Sequence, residues 1–372
     1  MMPIHHLETI KRLAEQIGRS VRLMEVCGTH TMTAFRSGLR SLLPLNVTLL
    51  SGPGCPVCVT PDDFVDRAIA IAGRPAFAPG ATAGKPDAIV ATFGDLLRVP
   101  GTESSLERER ARGADIRVVY SALDALALAA KHRGKKIVFL GVGFETTAPT
   151  VAWAIRKAAR DGLVNFLVLP AHRTMPPAMA ALLRGGEVAI DGFLCPGHVS
   201  AIIGLRPYAF ISRDYLLPCV VAGFEADDML AAIEMLLKQV AENRAQVENQ
   251  YTRGVSADGN LEAQAVMAEV FEPCDAEWRG LGMIPLSGLG IRAAYRAHDA
   301  QAMLKPMPCP KPAHRLPCLC GDVLRGAKPP TACTLFGTAC TPETPVGACM
   351  VSSEGACAAY YRYGKGIGQI LG

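Results

Sequence analysis

Apolar positions recur along the chain in two rhythms. Short continuous runs occur at Val21–Val26, Val47–Leu50, Ala88–Thr92, Ile116–Tyr120, Ile137–Gly141, Phe166–Leu169, Phe193–Cys195 and Cys219–Ala222. They have the length and β-branched or Leu-rich content of buried strands. Between them, Asp62–Ala72, Ser121–His132, Thr146–Arg160 and Pro177–Leu183 have the spacing of helices. Several runs end in Gly, Pro or a polar cluster, as strands of parallel sheets do. Alternation of this kind predicts an α/β fold of the doubly wound, parallel-sheet type. Gly143-Phe144-Glu145 and Gly223-Phe224-Glu225 each follow a strand and precede a helix pattern, an internal echo that predicts two related small sheets rather than one large one. Met1–Ile17 reads as an amphipathic helix (Ile4, Leu7, Ile10, Leu13, Ile17). A long amphipathic helix is predicted over 226–250, and another near Leu261–Val270.

The texture changes at Lys305. Nine prolines fall between Lys305 and Pro345, among most of the later cysteines. Such a segment has too little apolar surface for a core of its own, and small modules of this composition need a metal or cluster staple.

Length and charge narrow the function classes. At 372 residues, half of them apolar, the chain has material for two or three domains. Lys+Arg 38 against Asp+Glu 34 gives +4, with no basic block, which argues against a protein held to nucleic acid by phosphate contacts. The N-terminal pattern is not that of a signal peptide, and no apolar run approaches a membrane span. A soluble, cytoplasmic protein is expected. Thirteen cysteines, seven of them in the last 64 residues, make metal binding or thiol redox chemistry the leading class, because cytosolic thiols are kept reduced.

Two early motifs carry candidate chemistry. In Met24-Glu25-Val26-Cys27-Gly28-Thr29-His30, Cys27 falls where a strand ends and a helix begins. Backbone N–H groups at a helix start lower a thiol's pKa, and His30, one turn on, could pair with the thiolate or with a metal it binds. A buried structural cysteine beside a surface histidine would read the same way. In Ser51-Gly52-Pro53-Gly54-Cys55-Pro56-Val57-Cys58, the Cys-x-x-Cys turn has the spacing of a thiol–disulfide pair or of half a metal site. Both motifs end early strands, and ligands of open α/β sheets bind at carboxyl strand ends, so Cys27, Cys55 and Cys58 are expected in one cleft.

The C-terminal cysteines leave zinc and an iron–sulfur cluster both open. Cys320, Cys333, Cys340 and Cys357 are separated by 12, 6 and 16 residues, neither a ferredoxin nor a zinc-ribbon spacing, and Cys309, Cys318 and Cys349 lie nearby as further possible ligands. Gly141-Val142-Gly143-Phe144-Glu145-Thr146 imitates a dinucleotide fingerprint but has Thr146 in place of the third glycine, which argues against NAD. Glu145, His172, His198 and Glu225 each follow a strand and are second-rank candidates for lining the cleft. Loop histidines are as often merely solvated.

Taken together, the chain resembles the HypD family of hydrogenase maturation factors. The resemblance rests on Met24–His30, Gly52–Cys58, Gly143–Thr147, Pro196–Ser200 and the spacing of Cys320, Cys333, Cys340 and Cys357. It implies two related α/β domains plus a small C-terminal domain carrying a [4Fe–4S] cluster and packed with the N-terminal helix. The expected divisions are 1–20, 21–135, 136–290 and 291–372. The family's role, so carried over, is a scaffold with redox activity rather than a conventional turnover enzyme. It forms a 1:1 complex with the chaperone HypC for assembly of the Fe(CN)2CO group of nickel–iron hydrogenase, HypE donating cyanide as a thiocyanate. Cys27 would hold the iron with His30 beside it. Cys55 and Cys58 would be a dithiol–disulfide pair, and Cys320, Cys333, Cys340 and Cys357 the cluster ligands. A dithiol stores the two electrons that cyanide release requires, and a cluster can refill it singly. The rival readings are a free-standing, iron–sulfur-linked thiol–disulfide oxidoreductase and a structural zinc adaptor.

Overall fold

The computed structural model describes residues 4–73, 88–303 and 317–364. All eight predicted strands form: β1 (Val21–Glu25), β2 (Val47–Ser51), β3 (Ala88–Thr92), β4 (Ile116–Val118), β5 (Lys136–Gly143), β6 (Phe166–His172), β7 (Gly192–Pro196) and β8 (Cys219–Ala222). Three strands join them, β9 (Val247–Asn249) and the antiparallel pair β10 (Phe271–Trp278) and β11 (Gly282–Ile291). One parallel sheet has the order β2-β1-β7-β8-β9 and a second the order β4-β3-β5-β6. Counted within itself, each sheet begins second, first, third, fourth, and the first sheet adds a fifth strand at its edge. That arrangement reverses direction between its first and third strands, which is where open α/β sheets bind ligands.

The sheets do not divide at 135/136 as expected. The chain leaves the first sheet after β2, builds the whole second sheet from 88 to 172, and returns at Gly192 to pair β7 with both β1 and β8. Apolar periodicity identifies a buried strand but not its partner. The Gly-Phe-Glu echo also falls on unlike strands, since Gly143 ends the third strand of its sheet and Gly223 follows the fourth of the other.

Two further expectations are corrected. The helix predicted over 226–250 ends at Ala241; Asn243 takes a left-handed φ of 50°, and Val247–Asn249 extends the first sheet instead. The helix Ile4–Ile17 buries Ile10, Leu13 and Ala14 in a cluster with Leu230, Ile233 and Leu237 of the helix Ala226–Ala241, and His6 meets Glu234 at 2.6 Å. Among the described residues its buried face is therefore spent on the first sheet's outer layer, not on the cysteine-rich region. An apolar stripe reports that a helix packs without naming what it packs on.

The largest core lies between the two sheets and takes in Val26, Cys55 and Cys58, Val142 and Phe144, Cys195 and Tyr208, and the C-terminal Cys320, Cys349 and Val351. The C-terminal segment is thus stapled to the inter-sheet core. No helix among the described residues is long and apolar enough to cross a membrane.

Truncating Ile10, which is fully buried, to Ala should lower global stability by about 2–5 kcal/mol in denaturant unfolding. Stability left intact would contradict the packing of this helix on Ala226–Ala241.

Candidate functional site

Three chain segments stack at Cys27. Cys27 is the extended residue that caps the helix Gly28–Arg36, directly after β1. The loop after β2 crosses it: Gly28 donates its N–H to the Gly54 carbonyl at 3.0 Å, and a Cβ on Gly54 would stand 2.3–2.6 Å from the Cys27 backbone. Only glycine permits that approach. On the other side a Cβ on Gly28 would meet Cβ of Glu354 at 2.4 Å, and Thr29 Oγ1 donates to Glu354 Oε1 at 2.8 Å. Glu354 belongs to the turn that leads into the helix Ala356–Tyr363, which packs on Gly28–Arg36. Ser352 of the same turn donates to Asp95, just past β3, so the second sheet is tied in as well.

Cys55 caps the short helix Pro56–Val59, and Cys58 lies on it. The two are joined as a disulfide, with Cα atoms 5.2 Å apart, and both are buried. The structure therefore brings the Cys27 turn and the Cys55–Cys58 turn together at the carboxyl ends of neighbouring strands.

Burial, not the helix start, sets the Cys27 thiol. Desolvation pushes its pKa up to about 12, and the Glu354 carboxyl adds to the rise. The backbone N–H groups of His30 and Thr29 and the Thr29 hydroxyl favour the thiolate but do not win. The low pKa expected for this cysteine is thereby reversed. His30 is also buried and held neutral, its pKa lowered by desolvation to about 4 against the opposing pull of the Gly223 and Ala222 carbonyls. Nε2 faces those carbonyls at 2.9 and 3.3 Å, which assigns the proton to Nε2 and leaves Nδ1 as an unpartnered acceptor. Phe224 is stacked between His30 and the more exposed His198, with ring centroids 5.1 and 3.7 Å away.

The remaining second-rank candidates separate. Glu225 is exposed and caps the helix Ala226–Ala241, its backbone N–H donating to Asp228. Glu145 and His172, expected to line a cleft, are only 2% and 1% exposed. Each sits where the loops after β5 and β6 fold onto one another, Arg173 donating its N–H to the Gly143 carbonyl and Met175 to Glu145 Oε1. Burial lifts the Glu145 carboxyl to about 7 and drops His172 to about 3.

The C-terminal thiols gather around one small cavity. Cys320, Cys333, Cys340 and Cys357 line it together with Cys318 and Cys349, and Cys357 donates its backbone N–H to Cys349 Sγ at 3.3 Å. Among the described residues no three His, Cys, Asp or Glu side chains are arranged to hold a single metal ion. Cys309 lies outside the described residues. The helix Ala348–Val351, which carries Cys349, packs on Pro56–Val59, which carries Cys58.

Several residues escaped the sequence reading. Glu25, fully buried, accepts from Arg40 at 2.5 Å and from Ser51 at 2.8 Å, locking β1 to β2 just before Cys27. Its signal was visible, a charge inside an apolar strand. Arg279 lines the groove beside the cysteine cavity and ties down the end of the helix Pro56–Val59, donating its backbone N–H to Val59 and its guanidinium to the Thr60 carbonyl and to Asp62. Neither it nor Glu354 had a local signal, since both act across long sequence separations.

Glu145 yields a pH test. Its folded pKa lies above its ordinary value, so its contribution to stability is complete below about 4.5 and lost as pH rises through about 7. Glu145→Gln keeps the Met175 acceptor without the charge. It should match the parent at pH 4 and exceed it at pH 8.5 by up to about 3 kcal/mol in denaturant unfolding. A difference independent of pH would contradict the burial of an ionisable carboxyl.

Comparison with known proteins fits this geometry. The family model HypD, described as the hydrogenase formation hypA family, matches residues 4–364. The hydrogenase maturation factor HypD of Rhodobacter capsulatus is 50% identical over 366 residues, 96% of this chain and 94% of its own length. That of Cupriavidus necator is 48% identical, covering 94% and 91%, and that of Escherichia coli 46% identical, covering 98% and 95%. The chain belongs to the HypD family of hydrogenase maturation factors.

Proposed function

We propose that the chain is the scaffold on which the Fe(CN)2CO group of nickel–iron hydrogenase is assembled, working with a HypC-type chaperone and a HypE-type cyanide donor. The observation that carries this reading is the crossing of Gly54 over Cys27, which sets a single thiol against a dithiol–disulfide turn. Assembly needs one group to hold iron and another to move an electron pair, and the two turns divide those tasks.

Iron is the cargo, and Cys27 is its ligand. A soft thiolate suits iron that carries cyanide and carbonyl. A thiol held near 12 stays protonated until a metal displaces its proton, so ionisation is coupled to cargo binding. Once formed, the thiolate is met by the first backbone N–H groups of the helix Gly28–Arg36. His30, anchored on Gly223, fixes that first turn.

Reduced, Cys55 and Cys58 supply the electron pair. A sulfur–sulfur bond forms between them as the sulfur–carbon bond of the donor's thiocyanate breaks, giving cyanide and a thiol. One of their two protons goes to that sulfur and the other is released. Cys320, Cys333, Cys340 and Cys357 fit a [4Fe–4S] cluster by their soft donor set around one cavity, and such a cluster, when bound, supplies electrons one at a time. The packing of the Cys349 helix on the Cys58 helix supports a functional link between cavity and dithiol. A free-standing oxidoreductase would leave the built contact between Gly54 and Cys27 without a purpose.

Cys27→Ala is expected to abolish the Fe–CN and Fe–CO infrared bands of the chain co-purified with its HypC-type partner, while the broad visible absorption of the C-terminal cluster persists. Bands that survive the substitution would remove Cys27 as the iron ligand.

A further inference from the structure

The cysteine cavity contains more thiols than the four that a [4Fe–4S] cluster uses, and they differ in reach. Cys320, Cys333, Cys340 and Cys349 are buried, whereas Cys318 and Cys357 are partly exposed. Of the cavity's thiols, Cys318 and Cys320, but not Cys357, also line a neighbouring open groove of about 690 Å³, whose walls include Arg98, Glu103, Arg279 and Glu343. Gly347 borders both spaces: a Cβ there would stand 3.0 Å from Cys318 Sγ and 3.7 Å from Cys320 Sγ. The wall shared by groove and cavity is therefore a glycine flanked by an outer and an inner thiol.

We infer that Cys318 is the entry ligand of this cavity, taking iron–sulfur units from a thiolate-bearing donor in the groove and handing them to Cys320. The inference rests on the proposed function only in requiring a cluster there. The chemistry is ligand exchange without oxidation or reduction. A bond from Cys318 sulfur to iron forms as a donor thiolate–iron bond breaks, and the Cys318 proton passes to the departing thiolate. Cys320 then replaces Cys318 in the same way, and the Cys318 thiol is restored. Neither Cys333 nor Cys340 lines the groove, so neither can make the first contact.

The test is anaerobic loading of the metal-free full chain with iron–sulfide units preformed on dithiothreitol, followed by visible absorption and by iron and sulfide content at the endpoint. Cys318→Ser should reach the parent's endpoint several-fold more slowly. In the loaded parent, iodoacetamide should modify Cys318, found by peptide mass spectrometry, while Cys320 is protected. An unchanged rate would overturn the inference. So would a lowered endpoint or a protected Cys318, either of which would make it a resident ligand. A parent chain that takes up no cluster at all would instead defeat the proposed function, and the entry role with it.

Discussion

The structure depends on one steric constraint, that nothing larger than hydrogen fits on Gly54 where its backbone passes over Cys27. Gly28 meets the same restriction against Glu354. These two positions let the ends of β1 and β2 and the C-terminal turn lie against one another with no side chain between. A thiol, a disulfide and the end of the cysteine-rich segment thereby share one packed unit. The hydrogen bonds around them, Gly28 to Gly54 and Thr29 to Glu354, fix a register that the glycines make sterically possible.

Within that unit burial outweighs every local field. The helix start at Cys27 and the carbonyls at His30 both favour charge, yet both side chains are driven to their neutral forms. A protonated thiol reacts slowly with oxidants, so in the proposed role Cys27 would be protected until a metal provided the compensating charge. The same balance holds Glu145 and His172 close to neutrality between the loops of the second sheet. Their place is in the packing of those loops rather than on an open surface.

The strands were legible because each is a short, continuous apolar run, and Asp62–Ala72 and Leu261–Val270 were legible to the residue as helices. Pairing was not. Nothing in Val21–Val26 or Phe193–Cys195 says that β1 and β7 are neighbours across the whole second sheet, so a division by sequence order misplaced the modules. The prediction of two like sheets holds, yet the tripeptide that suggested it sits on strands that do not correspond. Cys27, Cys55 and Cys58 were legible as candidates from their position at strand ends. The charge state of Cys27 was not, since it follows from burial that only the folded chain creates and from the Glu354 carboxyl, which lies 327 residues later. β10 and β11 escaped notice because their exposed faces carry Glu272, Glu277 and Pro285, which break any apolar run.

The most direct test of the account is iron-edge anomalous diffraction from crystals of the full chain grown without oxygen. The account predicts a compact iron signal in the C-terminal cavity, bonded to Cys320, Cys333, Cys340 and Cys357, with Cys318 unbonded and the Cys27 and Cys55–Cys58 turns crossed as described here. Zinc or no metal in that cavity, or a Cys27 turn lying apart from the Cys55–Cys58 turn, would contradict it.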